Sequence, residues 1–192
     1  MTTADLDPRP RYRAATEWVV GLAAGVRPDQ LTAPTPCPEF DVRTLLGHLV
    51  TTARRARAVG DGRPPLDVPV VTTGVADADW ASTYAMDAKH ALAAWSDERL
   101  TAQVEVPWGT VPGRAAVWAY VNETLVHGWD LAVATGQPAE ADPAVAQAAL
   151  VAAQRAIPAE PRGGPVPFAA PVPPAPNAGP TERLANWSGR SR

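Results

Sequence analysis

The stretch Gly113-Arg114-Ala115-Ala116-Val117-Trp118-Ala119-Tyr120-Val121-Asn122-Glu123-Thr124-Leu125-Val126-His127-Gly128-Trp129-Asp130-Leu131-Ala132-Val133-Ala134-Thr135, residues 113–135, decides the fold. Its spacing predicts a helix opened by Pro112 and closed by Gly136, with Pro138 just beyond. From Ala115 onward apolar side chains lie on nearly every face of that helix, so other helices must surround it. The surrounding candidates are amphipathic. Tyr12, Ala15, Val19, Leu22 and Val26 recur at steps of three and four, a single stripe that ends before Pro28. Asp41 offers a cap to a second helix running to about Val59, where Arg54, Arg55 and Arg57 suit the negative end of the dipole. A third helix is expected from about Ala78 to Ser96, presenting Trp80, Tyr84, Ala91 and Trp95.

Smaller pieces join these helices. Thr35-Pro36-Cys37-Pro38-Glu39-Phe40 is too proline-rich for a helix, and Arg63 to Gly74 reads as an extended linker. Val104 and Val106 alternate with polar neighbours and lead through Pro107-Trp108-Gly109-Thr110 to Val111, the pattern of a short β-hairpin. Asp142-Pro143 starts an extra, alanine-rich helix reaching about Ile157. Between Pro158 and Pro180 stand nine prolines and three glycines, a composition for an extended strap or a disordered tail, and Leu184 and Trp187 follow on a short amphiphilic terminus. The expected class is all-α: an up-and-down four-helix bundle with a short hairpin and an extra C-terminal helix over 1–157, and a proline-rich strap and tail packing on it over 158–192.

Composition narrows the function. The chain has 192 residues, 46% of them hydrophobic, enough for one buried core. Seventeen basic against twenty acidic residues give a net charge of −3, with no basic half to grip nucleic acid. A single cysteine, Cys37, rules out an intramolecular disulfide and a four-cysteine zinc site. Met1 to Arg13 mixes aspartates and arginines with prolines, so no secretory signal is expected, and no window has the roughly 18 uninterrupted apolar residues of a membrane span. A cytoplasmic protein is expected, as monomer or homodimer. No metalloprotease motif, nucleophile elbow, or phosphate or dinucleotide glycine pattern is present.

The chemistry sits where the chain is most apolar. Within 115–135 the ionisable groups are Glu123, His127 and Asp130, with no Lys or Arg among them. A buried carboxylate without a partner costs several kcal/mol, so a cation must reach it from another element. Glu123 and His127, four residues apart, share one helix face, and His48 lies among Leu45, Leu46, Leu49 and Val50 in the second helix. Each of these groups alone reads as an ordinary satisfied core residue. Together, two imidazoles and one carboxylate on two apolar helices can bind one ion and keep a position open for water or substrate, a set that suits zinc and also iron or nickel. Asp130 is left open between orienting His127 and pairing locally. Cys37, flanked by prolines and without a basic neighbour in sequence, reads as a buried filler; His90, beside Lys89 and Asp87, reads as a surface residue; Trp108 and Trp129 read as packing or as pocket wall.

Three segments carry a resemblance: Thr35 to Leu49 (TPCPEFDVRTLLGHL), Pro107 to Gly113 (PWGTVPG) and Glu123 to Ala132 (ETLVHGWDLA). They resemble the metal-binding N-terminal domain of mycothiol-dependent maleylpyruvate isomerase, one of the DinB-like four-helix bundles, over about Tyr12 to Gly136. The resemblance places the family's metal triad on His48, Glu123 and His127. It implies a bound zinc whose open position takes the thiolate of mycothiol, a small-molecule thiol, for reaction with an electrophilic substrate: isomerisation by addition and elimination, or transfer of the sulfur to the electrophile. After the extra helix this chain has a proline-rich strap where the isomerase carries an α/β domain, which shifts the expectation towards S-transfer. Two rivals remain at this point, a hydrolase or lyase using metal-activated water, and a non-catalytic metal- or ligand-binding module.

Overall fold

The computed structural model describes residues 7–164 and 166–192; part of the leader expectation, residues 1–6, lies outside the described residues. Among the described residues are seven α-helices and one two-stranded antiparallel sheet: α1 (Arg9–Ala24), α2 (Val42–Gly60), α3 (Trp80–Ala93), α4 (Asp97–Thr101), β1 (Gln103–Val106), β2 (Gly109–Pro112), α5 (Gly113–Thr135), α6 (Pro143–Ala156) and α7 (Pro180–Trp187). The apolar helix is the centre. Seventeen of the 23 residues of α5 are buried, and α1 and α2 each pack against both α3 and α5. Tyr12, Ala15, Val19 and Leu22 of α1 point into this core, as their spacing predicts. No helix among the described residues is long and apolar enough to cross a membrane.

Local chemistry sets the ends of these elements. The Asp41 carboxylate accepts from the Thr44 N–H at 2.8 Å at the start of α2, and Asp142 caps Ala144 and Val145 at the start of α6. Gly136 closes α5 in the left-handed region at φ 68°, a conformation that costs glycine no steric penalty. The expected third helix is shorter than its periodicity suggests. It stops at Ala93 because Ser96 caps a new helix through the Arg99 N–H at 3.2 Å, and Asp97 and Glu98 fill the favourable first turn of α4. The hairpin pairs Val104 with Val111 and Val106 with Gly109, turning Val104 and Val106 inward.

Segments that lack regular structure are tied to the helices by polar contacts. Across 63–76 the chain crosses α2: Thr72 N–H donates to Gly47 O at 3.1 Å, the Thr51 and Thr72 hydroxyls are 2.9 Å apart, and Arg55 donates to Val68 O at 3.0 Å. Arg54 bonds Thr72 and Asp87, so the basic cluster of α2 serves the scaffold. At the C-terminus α7 packs on α5 and α6, its first turn capped from a distance by Glu140, which accepts from the Thr181 and Glu182 N–H groups. Leu184 is fully buried, and Trp187 packs against the core with the Arg162 guanidinium over its ring.

Gly47 is where the crossing segment lies closest to α2, since a Cβ there would collide with the Thr72 carbonyl oxygen. Gly47→Ala is therefore expected to destabilise the fold by about 1–3 kcal/mol, as overpacking does. Urea denaturation checks this, and an unchanged midpoint would refute the close approach.

Candidate metal centre

His48, Glu123 and His127 come together. One donor atom from each lies within 4.8 Å of the other two, and the two imidazole rings meet edge to face with centroids 4.8 Å apart. His127 Nε2 and Glu123 Oε2 are 3.5 Å apart, close to the ~3.3 Å edge that two ligands at zinc bond lengths span in a tetrahedron. Phe40, from the proline-rich segment before α2, stacks near both rings, with centroids 5.0 Å from His48 and 6.3 Å from His127.

Both imidazoles are fixed by a partner on the nitrogen that faces away from Glu123 or is free of it. His48 Nδ1 donates to the Val70 carbonyl at 3.2 Å. A carbonyl carries no proton, so that bond sets the tautomer and leaves Nε2 with a lone pair. His127 Nδ1 donates to Asp130 Oδ2 at 3.1 Å, so Nε2 is the nitrogen directed at Glu123. Metal-binding histidines characteristically have their second nitrogen held in this way by a carbonyl or a carboxylate. The donor set and its supporting bonds therefore fit a divalent ion.

Electrostatics separate the two rings. Burial, with His127 nearby, pushes the His48 pKa down to about 4, so His48 is a neutral imidazole at physiological pH. For His127 burial acts in the same direction, but hydrogen bonds to Asp130 and Glu123 outweigh it and raise the pKa to about 9. Burial would lift Glu123, yet the bond to His127 and its charge hold the carboxyl below its ordinary value. The Glu123 side chain remains 33% exposed, and it opens onto a cleft of about 620 Å³ between α5, α6 and the strap.

The cation required by the apolar helix is supplied from the far end of the chain. Arg190 Nε donates to Asp130 Oδ2 at 3.1 Å, where Asp130 is completely buried. The same guanidinium lies 3.3 Å from Cys37 Sγ. An arginine thus neutralises Asp130 and leaves Glu123 to the histidines. Cys37 has a basic neighbour that its local sequence does not reveal, although burial still pushes its thiol pKa up. Cys37, His127 and Asp130 also have donor atoms within 4.8 Å of one another, but Arg190 already provides the positive charge there. Of the other candidates, His90 is exposed, Trp129 is fully buried packing, and Trp108 stands 56% exposed at the hairpin tip beside the cleft.

The sequence profile described as the mycothiol maleylpyruvate isomerase N-terminal domain matches residues 12–132. Two proteins of Mycobacterium tuberculosis, the uncharacterized protein Rv0738 of strain H37Rv and the uncharacterized protein MT0763 of strain CDC 1551, are each 32% identical over 189 residues, 97% of this chain and 99% of theirs. Among solved structures, a DinB-like protein of Bacillus subtilis, YjoA, superposes with a TM-score of 0.57 at 18% identity, over 71% of this chain and 96% of that one. The mycothiol-dependent maleylpyruvate isomerase superposes with a TM-score of 0.54 at 15% identity, over 68% of this chain. The match spans 63% of the isomerase, less than two-thirds of its length. At such identities the structural likeness speaks for the fold alone.

A pH prediction follows from the proton on His127. Its folded pKa, about 9, lies above the ordinary 6.5, so in metal-free protein this proton's stabilisation is complete below pH 6.5 and is lost as pH rises through 9. An ion that takes Nε2 must displace that proton. Zinc affinity is therefore expected to rise about tenfold per pH unit across this window and to level off above it. Titration calorimetry in buffers of different ionisation enthalpy should register about one proton released at pH 7.5; a flat pH dependence would contradict the assignment.

Proposed function

This chain belongs to the mycothiol maleylpyruvate isomerase N-terminal domain family, and we propose that it is a metal-dependent enzyme in which His48, Glu123 and His127 hold one divalent ion, zinc, and a thiol such as mycothiol reacts with a small electrophile. The observation that carries this reading is the meeting of two imidazoles, each held through Nδ1, with one carboxylate that also lines a cleft. A bound zinc would lower the pKa of a thiol at its open position, making a thiolate available near neutral pH. We read the four long helices α1, α2, α3 and α5 as an up-and-down bundle within 1–157, with 158–192 packed on it.

Each protein group then has a distinct task. His48 is held by the Val70 carbonyl and His127 by Asp130, so each ring is oriented through its Nδ1. Arg190 balances Asp130, which lets that buried carboxylate remain a hydrogen-bond acceptor. Glu123 contributes the anionic ligand and forms part of the cleft wall. Phe40 covers the rings from the side of the proline-rich segment. The chain's own strap contributes Val166, Pro167 and Phe168 to the cleft, and S-transfer is the reaction we favour over isomerisation.

Elemental analysis of the purified protein is expected to find close to one zinc per chain, with losses of tenfold or more in His48→Ala and His127→Ala. Thiol consumption with an electrophile such as 1-chloro-2,4-dinitrobenzene should depend on mycothiol and on the metal. A metal-free parent protein that cannot be loaded with zinc would defeat the reading.

A further inference from the structure

The cleft beside Glu123 has a character of its own. Its floor is one face of α5, where Ala115, Ala119 and Asn122 follow one another at steps of four and three. Its walls include Trp118, Phe168 of the strap and Trp108 at the hairpin tip. At about 620 Å³ it falls within the range of small-molecule sites and has room for about twenty waters at ~30 Å³ each. Two residues of this lining each carry a buried polar atom without a partner among the described residues. Asn122 is only 7% exposed, yet its buried Oδ1 meets no donor among the described residues, and the buried indole N–H of Trp118 meets no acceptor. Orphaned polar atoms of this kind cost about 1–3 kcal/mol each unless something bonds to them. Arg155 also lines the cleft.

We propose that this cleft binds the electrophilic substrate, and that the substrate is a flat, largely apolar molecule, such as a substituted aromatic, carrying an N–H or O–H donor for Asn122 and an anionic edge for Arg155. The aromatic side chains offer stacking surfaces to such a ring, and the exposure of Trp108 is explained by a ligand that covers it. A small dicarboxylate would leave most of the aromatic lining uncovered and Asn122 Oδ1 facing another acceptor. The role assigned to the ligand rests on the thiol chemistry proposed above; its occupancy of the cleft rests only on the cleft. Phe168 and Asn122 are then specificity-determining residues, one through shape and the other through its hydrogen bond.

The probe 1-anilinonaphthalene-8-sulfonate combines a flat apolar body, one N–H and one anion. A fluorescence titration of the full-length protein is expected to show saturable binding of one probe per chain. Ala119→Phe, which fills the floor, should weaken binding at least tenfold, while Phe168→Ala and Asn122→Ala should each weaken it about threefold to tenfold. Thermal melts show whether each variant is folded. Maleate at a hundredfold excess over the probe should not displace it. Metal-free protein should bind the probe within about threefold of zinc-loaded protein, which separates the two readings. Probe binding that survives without metal supports the ligand class even where thiol transfer fails. Binding unaffected by both Ala119→Phe and Phe168→Ala, or displacement by maleate, overturns the proposal.

Discussion

The charge balance around His127 governs this molecule. A helix buried on nearly all sides carries two carboxylates and an imidazole, and of these His127 and Asp130 are shut away from water. His127 sits between Glu123 and Asp130 as the hydrogen-bonded partner of both. Asp130, fully buried, needs a second positive neighbour and receives it from Arg190. The arrangement leaves Glu123, the more exposed acid, as the one whose remaining demand faces the cleft. Burial of an ionic network is costly unless every member is paired, and that requirement dictates which segments must reach α5.

This accounts for the parts of the chain that are not long helices. The extended segment across α2 provides the Val70 carbonyl that orients His48, and the Gly47 contact keeps that segment in place. The proline-rich stretch before α2 provides Phe40 and Cys37, one beside the imidazoles and the other beside Arg190. The terminal helix α7 is anchored by Glu140 and Thr181 and leads directly to Arg190. Between α6 and α7 the strap forms one side of the cleft. Irregular segments thus serve as supports for the site, with the rigid helices carrying its proposed ligands.

The long-helix architecture is legible in the residue pattern because burial and periodicity are the same information in different forms. Tyr12, Ala15, Val19 and Leu22 repeat at helical steps and are buried for that reason. The caps at Asp41 and Asp142 and the left-handed terminus at Gly136 depend only on neighbours a few residues away, and they occur where the local chemistry puts them. The third helix shows the limit of periodicity: Trp95 continues the apolar rhythm, but the Ser96 cap and the acids after it are stronger local determinants and begin a separate turn. Cys37 shows another limit, since its basic neighbour lies 153 residues along the chain.

By itself the sequence determined that two imidazoles and two acids stand on helices rich in apolar residues, because hydropathy and spacing are properties of the chain that need no coordinates. Only the tertiary structure decided which charges offset which. Arg190, Val70 and Phe168 carry no local mark of their roles; they matter because folding brings the end of the chain, a loop and a strap to the same helix. Contacts between distant segments depend on how whole elements pack, and no short-range pattern encodes that packing.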